Sequence, residues 1–253
     1  MYALVADLES DFTQLQIDTL PLRPQDTVLD IGAGPGRLSV PIAPRVRSVT
    51  ALDPFASMRD QCRIRAASAG VESIVYSDLD WFDARVGENL ARHDVVLCSR
   101  TVALADLAKV STFATRLAAV IMWADAPSIP PLLDRLFRGT GSPAMSQGRG
   151  PDRGNSYIQV LNTAYELGYE PSALVVPDGF RAWFPDLDTA CDRLRPLRPL
   201  PDGAAAEGAF RRNLEDFLTP DGNGMRFEMH TRSVVCWWST DGSDAAPWAE
   251  VSR

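Results

Sequence analysis

The stretch Val28-Leu29-Asp30-Ile31-Gly32-Ala33-Gly34-Pro35-Gly36 joins an apolar run to a glycine turn and places a carboxylate two positions before the first glycine. Glycine tolerates positive φ and carries no Cβ, so a turn built on three of them can bend sharply and let a ligand approach the backbone. Asp30 adds what a plain phosphate loop lacks. A carboxylate at the mouth of the turn repels a pyrophosphate and attracts a cation. The dinucleotide pattern Gly-x-Gly-x-x-Gly is not met, because position 37 is Arg.

Outward from this turn the first half of the chain alternates short apolar runs with helical periodicity, which favours a parallel sheet covered on both faces. Thr27 to Ile31, Ser48 to Leu52, Glu72 to Tyr76, Asp94 to Cys98 and Ala119 to Trp123 read as five strands. Helices are expected from Pro35 to Ala43, from Asp53-Pro54 to about Ala69 and from Val102 to Leu117. Leu4, Leu8, Phe12 and Leu15 mark one amphipathic helix at the N-terminus. Later come a helix at Tyr157 to Leu167, a strand at Ala173 to Val176, a helix at Glu207 to Leu218 and a last strand at Met225 to Trp238. Pro, Gly and Ser dominate Asp125 to Asn155, as in a loop.

The segment from Val28 to Gly36 resembles the first motif of the class I S-adenosylmethionine (AdoMet)-dependent methyltransferases: a hydrophobic run, Asp, one apolar residue, then Gly-x-Gly-x-Gly. The resemblance implies a doubly wound α/β fold, a mostly parallel seven-stranded sheet with an antiparallel last strand, plus helical cap insertions. Residues 1–253 then form a single domain, with a core of about 20–124, 155–177 and 225–238 and insertions at about 125–154 and 178–224 that cap the substrate.

It also implies a cofactor, AdoMet, with S-adenosylhomocysteine (AdoHcy) as product, and a set of cofactor-binding residues. These are Asp30, Gly32, Ala33, Gly34 and Gly36 at the turn, and Asp53 with Pro54 at the tip of the second strand. Met58 follows in the next helix, where Phe55 either joins it on the adenine face or packs in the core. Asp78 and Leu79 follow the third strand and would read the adenine edge, with Asp80 as the alternative acid and Trp81 either flanking the ring or covering the sheet. Ser99 and Arg100 close the set after the fourth strand. An acid 23 positions after Asp30 suits paired ribose hydroxyls. A helix N-cap is the structural alternative for Asp53. Arg100 would hold an acidic substrate or the methionyl carboxylate, or simply form a surface salt bridge.

Ser99-Arg100-Thr101 stands where amino-group methyltransferases of that class carry Asn or Asp followed by Pro-Pro and an aromatic residue. That departure favours a small-molecule acceptor. No catalytic residue is assigned, since methyl transfer from a sulfonium can rest largely on alignment. Two rival readings are an NAD(P)-dependent oxidoreductase and a non-catalytic AdoMet-binding regulatory or assembly protein, the latter because little sequence precedes the core to close a pocket.

A net charge of −8 works against capture of nucleic acid. No apolar run approaches a membrane span and no leader pattern opens the chain, so a cytoplasmic protein is expected. Four scattered cysteines and two histidines suggest neither a disulfide framework nor a metal site. Cys98 reads as a small buried hydrophobe and His230 as a solvated or structural histidine. Arg181, Arg193, Arg195 and Arg198 are compatible with an anionic acceptor, a solvated charged face being the plainer account. A homodimer is open.

Overall fold

The computed structural model describes residues 2–124, 129–145 and 156–242; of Tyr2 only the backbone is described. The chain begins with α1 (Tyr2–Leu8) and α2 (Ser10–Thr19). There follow β1 (Thr27–Ile31), α3 (Ser39–Ile42), β2 (Ser48–Leu52), α4 (Ala56–Ser68), β3 (Ile74–Ser77), β4 (His93–Ser99), α5 (Leu107–Phe113) and β5 (Ala114–Trp123). The second half contributes α6 (Ile129–Leu136), α7 (Tyr157–Glu166), β6 (Ser172–Phe184), α8 (Leu187–Leu194), α9 (Ala204–Glu215), β7 (Leu218–Asp221) and β8 (Gly224–Ser239).

The strands form one sheet in the order β3-β2-β1-β4-β5-β8-β6, with β7 paired to β8 off that path. From β3 to β5 all pairs are parallel, and β8 lies antiparallel to both β5 and β6. The doubly wound architecture expected from the sequence is therefore present, with β7 as an eighth strand. Because successive residues of a strand face opposite sides, Val28 packs under one layer of helices and Leu29 and Ile31 under the other. Asp30 shares the side of Val28. On the opposite side the indole Nε1 of Trp238 donates to Ser111 Oγ at 3.0 Å, fastening β8 to α5.

Several local expectations need correction. The expected N-terminal helix is two helices meeting at Glu9, and Leu15 is exposed rather than on the apolar face. The helix expected over Val102 to Leu117 is a 3-10 turn (Val102–Ala105) followed by the short α5, because Asp106 accepts from the Lys109 N–H at 2.9 Å and starts a new helix. β5 consequently begins at Ala114. After the glycine turn, helix starts only at Ser39, since three residues of positive φ in the turn cannot be helical.

The second insertion also begins later than its expected position at 178. β6 runs on to Phe184 in register with β8, down to the pair Phe184 with Met225, so seven residues from Asp178 to Phe184 belong to the sheet. The helix expected at Glu207 to Leu218 is α9, and Leu218 opens β7. The helices α6, α8 and α9 share a third apolar cluster with the far ends of β6 and β8, centred on Phe180, Phe210 and Phe227, and Leu8 of α1 joins it. The part of the Pro/Gly/Ser-rich stretch at 125–128 and 146–155 lies outside the described residues. Among the described residues no helix is long and apolar enough to cross a membrane.

Candidate functional site

β1 ends at the glycine turn, which is clasped to the neighbouring strand: the Gly32 and Ala33 N–H groups both donate to the Leu52 carbonyl, at 2.8 and 3.0 Å. Gly32, Gly34 and Gly36 have φ of 70°, 56° and 81°, a region that costs an L side chain roughly 1–2 kcal/mol. Packing then separates the three. A Cβ on Gly32 would lie 2.7 Å from Thr101 Oγ1, and one on Gly36 would lie 2.5 Å from Cys62 Sγ. A Cβ on Gly34 would meet nothing within 4 Å. Gly32 and Gly36 are thus dictated by the protein's own interior, whereas Gly34 faces open space.

That space is a cavity of about 730 Å3 at the carboxyl ends of β1, β2, β4 and β5, the ligand position of open α/β sheets. Asp53, just beyond β2, spans the turn: its Oδ2 accepts from the Gly34 N–H at 2.9 Å and its Oδ1 from the Phe55 N–H at 3.0 Å. Helix α4 is capped at Phe55 instead, so Asp53 is not its N-cap. Asp30 is buried on the cavity wall and accepts from Ser39 Oγ at 2.6 Å. Burial lifts its carboxyl to about 6, opposed by the Ser39 hydrogen bond and the Arg37 guanidinium.

Two arginines form the floor. Arg37 Nη1 donates to Thr13 Oγ1 at 3.0 Å and to Gln16 Oε1 at 2.7 Å, and its Nη2 donates to Ser99 Oγ at 2.7 Å. Arg100, the described non-glycine residue with positive φ, 55°, extends from the end of β4. Its Nη1 donates to Glu9 Oε1 at 2.6 Å, and its Nη2 to Asp178 and, at 3.1 Å, to Ser233 Oγ. Its guanidinium carbon lies 4.4 Å from the Trp123 ring centroid. Glu9 Oε2 approaches Arg37 Nε at 3.4 Å. Two guanidinium groups and two carboxylates, Glu9 and Asp178, each only 1% exposed, make an interlocked cluster. A sparsely populated backbone conformation of this kind persists where surrounding contacts over-determine it, and it favours functional sites.

Of the residues expected from the sequence, Asp30, Gly32, Ala33, Gly34, Asp53, Pro54, Met58, Ser99 and Arg100 all line the cavity. Gly36 lies beneath the turn against Cys62. Asp78 and Leu79 follow β3 outside the ring of lining residues, with Asp78 exposed. Asp80 caps a 3-10 turn by accepting from the Phe82 N–H at 2.9 Å. Trp81 is buried against Phe113, so of its two readings the sheet cover is the observed one. Phe55 is exposed at the cavity rim and takes no part in the core.

Arg100 is no surface salt bridge, since its carboxylate partners are buried. Arg181, Arg195 and Arg198 lie outside the cavity and pair with Glu228, Glu207 and Asp134 at 2.8, 2.9 and 2.8 Å. Arg193 is exposed. Cys98 is a buried hydrophobe whose thiol burial pushes up to about 12. His230 is on the exposed side of β8, 3.5 Å from Glu228.

Sequence reasoning missed the wall supplied by Val5, Ala6 and Glu9, and it missed Trp123. The N-terminal segment does line the pocket, which removes the ground given for the non-catalytic reading. Trp123 had a usable signal, its place at the carboxyl end of a parallel strand; Glu9 had none.

The family model for a methyltransferase domain matches residues 28–122. An uncharacterized protein of Haemophilus influenzae is 31% identical over 98 residues, 39% of this chain and 36% of that protein, so the match spans little more than a third of the relative. Among solved structures, a cyclopropane-fatty-acyl-phospholipid synthase-like protein from Lactobacillus casei superposes with a TM-score of 0.54 at 13% identity, covering 93% of this chain and 92% of its own. The YcgJ protein of Bacillus subtilis gives 0.52 at 16%, with 90% and 97% covered. A precorrin-6y C5,15-methyltransferase from Geobacter metallireducens gives 0.51 at 10%, with 90% and 87% covered. Identities this low establish the fold. The glycine turn, Asp30 and Asp53 all lie inside the segment that matches the methyltransferase-domain model, and the fold is the Rossmann-like one that these structures share.

Proposed function

We propose that the protein binds AdoMet at the glycine turn and methylates a small-molecule acceptor. The observation that carries this reading is Gly34: positive φ, open space where a side chain would be, and an N–H tied to Asp53, all on the wall of a cavity. A nucleoside can lie against such a backbone with no Cβ in the way. The donor set fits as well. Asp53 presents its remaining lone pairs to ribose hydroxyls, and Asp30 offers a buried carboxylate to an ammonium group. Met58 and Phe55 supply apolar surface for adenine.

When bound, AdoMet would supply a methyl group already activated by a sulfonium charge. The chain's contribution is alignment and exclusion of water: Val5 and Ala6 of α1 line the cavity, as do Trp123 and Val102 at the ends of β5 and β4. The cavity volume is that of a small-ligand pocket, and the net charge of −8 disfavours a nucleic-acid acceptor. Both support the small-molecule reading.

Calorimetric titration with AdoMet, AdoHcy and NADH tests this. The expected result is micromolar binding of AdoMet and AdoHcy, none of NADH, and loss of both adenosyl ligands in Asp53→Ala. Binding of NADH alone would turn the reading toward hydride transfer. AdoMet binding with no methyl release against fractionated cell extract would mark a silent binder.

A further inference from the structure

Resting on the AdoMet reading, we infer that the acceptor is an uncharged molecule with an apolar, planar body held against Trp123, and that Glu9 is a specificity-determining residue that turns anionic acceptors away. Cofactor placed along the glycine turn and Asp53, at the ends of β1 and β2, leaves the part of the cavity at the ends of β4 and β5, which Val102 and Trp123 line together with Val5 and Ala6 of α1. Such a surface buries a ring or short hydrocarbon and offers little to a charged head group.

Charge sharpens the assignment. Among the described residues the cations that line the cavity are Arg37 and Arg100, and both are engaged. Arg37 uses both terminal nitrogens on Thr13, Gln16 and Ser99. Arg100 uses its own on Glu9, Asp178 and Ser233. Its Nε is buried without a partner, as is Trp123 Nε1. An acceptor carboxylate would therefore have to displace Glu9 from Arg100. It would take from buried Glu9 its 2.6 Å partner and leave it only the 3.4 Å approach of Arg37 Nε. The arginines that could have suggested an acidic acceptor, Arg181, Arg195 and Arg198, are paired elsewhere. A cationic acceptor is disfavoured on different grounds, because the donor's sulfonium must face the accepting atom.

The test uses full-length protein saturated with AdoHcy and two probes of one shape, 2-naphthalenemethanol and 2-naphthoate, with 2-naphthalenemethylamine compared between protein saturated with AdoHcy and with AdoMet, whose sulfonium AdoHcy lacks. The alcohol should bind about tenfold or more tightly than the acid, and the amine about tenfold or more weakly with AdoMet than with AdoHcy. Glu9→Gln, which frees one face of Arg100 from its counter-charge, should shrink the alcohol-to-acid ratio to about threefold or less while AdoHcy affinity holds. A purely structural Glu9 would lower all affinities together and leave that ratio unchanged, which overturns the inference. So does acid binding as tight as alcohol, amine binding as tight with AdoMet as with AdoHcy, or an alcohol that does not bind. Should Glu9→Gln fail to fold, Trp123→Leu decides alongside the wild-type ratio: the alcohol should weaken by about tenfold with AdoHcy affinity retained, and an unchanged alcohol affinity overturns the assignment. Wild-type protein that does not bind AdoHcy at all defeats the AdoMet reading itself, a separate outcome.

Discussion

Glu9 and Arg100 stand 91 residues apart in the chain and meet at 2.6 Å inside the cavity floor. The contact joins the elbow between α1 and α2 to the end of β4, so the N-terminal helices are anchored to the carboxyl edge of the parallel strands by charge as well as by the burial of Leu8 and Phe12. Breaking one partner of a buried pair leaves the other unpaired in low dielectric, which costs about 3–5 kcal/mol. Arg100→Met should therefore lower unfolding free energy by about that amount in urea titration, since buried Asp178 loses its cation and Glu9 keeps only Arg37 at 3.4 Å. Arg45→Met, at an exposed pair with Asp18, serves as the control and should leave stability unchanged.

The three glycines of the turn should separate under substitution. Gly36→Ala drives a methyl group to 2.5 Å from Cys62 Sγ in a packed interior and should cost about 3 kcal/mol. Gly34→Ala meets no neighbour and pays only the backbone term of about 1–2 kcal/mol. Cofactor binding should show the reverse severity for the change made. Gly34→Ala should weaken AdoHcy by about tenfold or more at modest loss of stability, because its methyl group occupies the ligand's side of the turn. Thermal unfolding and calorimetry on the same preparations check both halves.

Asp30 should trade stability for binding. Its carboxyl is lifted from 3.8 to about 6 in the folded chain, so the folded state takes up this proton more readily than the unfolded one. Ionised Asp30 therefore costs stability above pH 6, and that cost fades as pH falls through the window down to about 4. Without cofactor, Asp30→Asn should be more stable than wild type at pH 8 by up to about 3 kcal/mol and equal to it at pH 4. AdoHcy affinity should fall in the variant. In wild type it should fall as pH drops below about 6, where the carboxylate is protonated.

The thiols give a count of native packing. Burial pushes Cys62, Cys98 and Cys236 up to about 12, while Cys191 on α8 is partly exposed. Burial raises the Cys191 thiol as well, so a disulfide reagent at pH 8 should label Cys191 slowly but ahead of the other three in the native protein, and all four cysteines in denaturant. Native labelling of a second thiol as fast as Cys191 would contradict the packing of Cys62 beneath Gly36 or of the other two inside β4 and β8.

The five parallel strands were legible because each is a short apolar run closed by a polar or turn residue, and a strand buried on both faces needs nothing else to declare itself. The α5 region misled for a related reason. Apolar residues at helical spacing continue past Phe113 into β5, and only Asp106, a capping residue within the run, marks where the short helix begins.

Val28 to Gly36 and Asp53 marked by themselves the part of the cavity proposed for the cofactor. A glycine turn, the acid before it and the acid at the next strand tip are local consequences of residue type and short spacing. The acceptor half was decided by tertiary structure. Glu9, Arg37, Arg100, Trp123 and Asp178 come from α2's entrance, the turn and three strands, and no spacing in the chain announces that they converge. Arg37 read in sequence as a missing glycine, yet in the fold it braces Thr13, Gln16 and Ser99. A buried guanidinium must find its acceptors wherever packing places them; which charges neutralise which, and hence which acceptor charge the cavity tolerates, exists only after the helices have closed over the sheet.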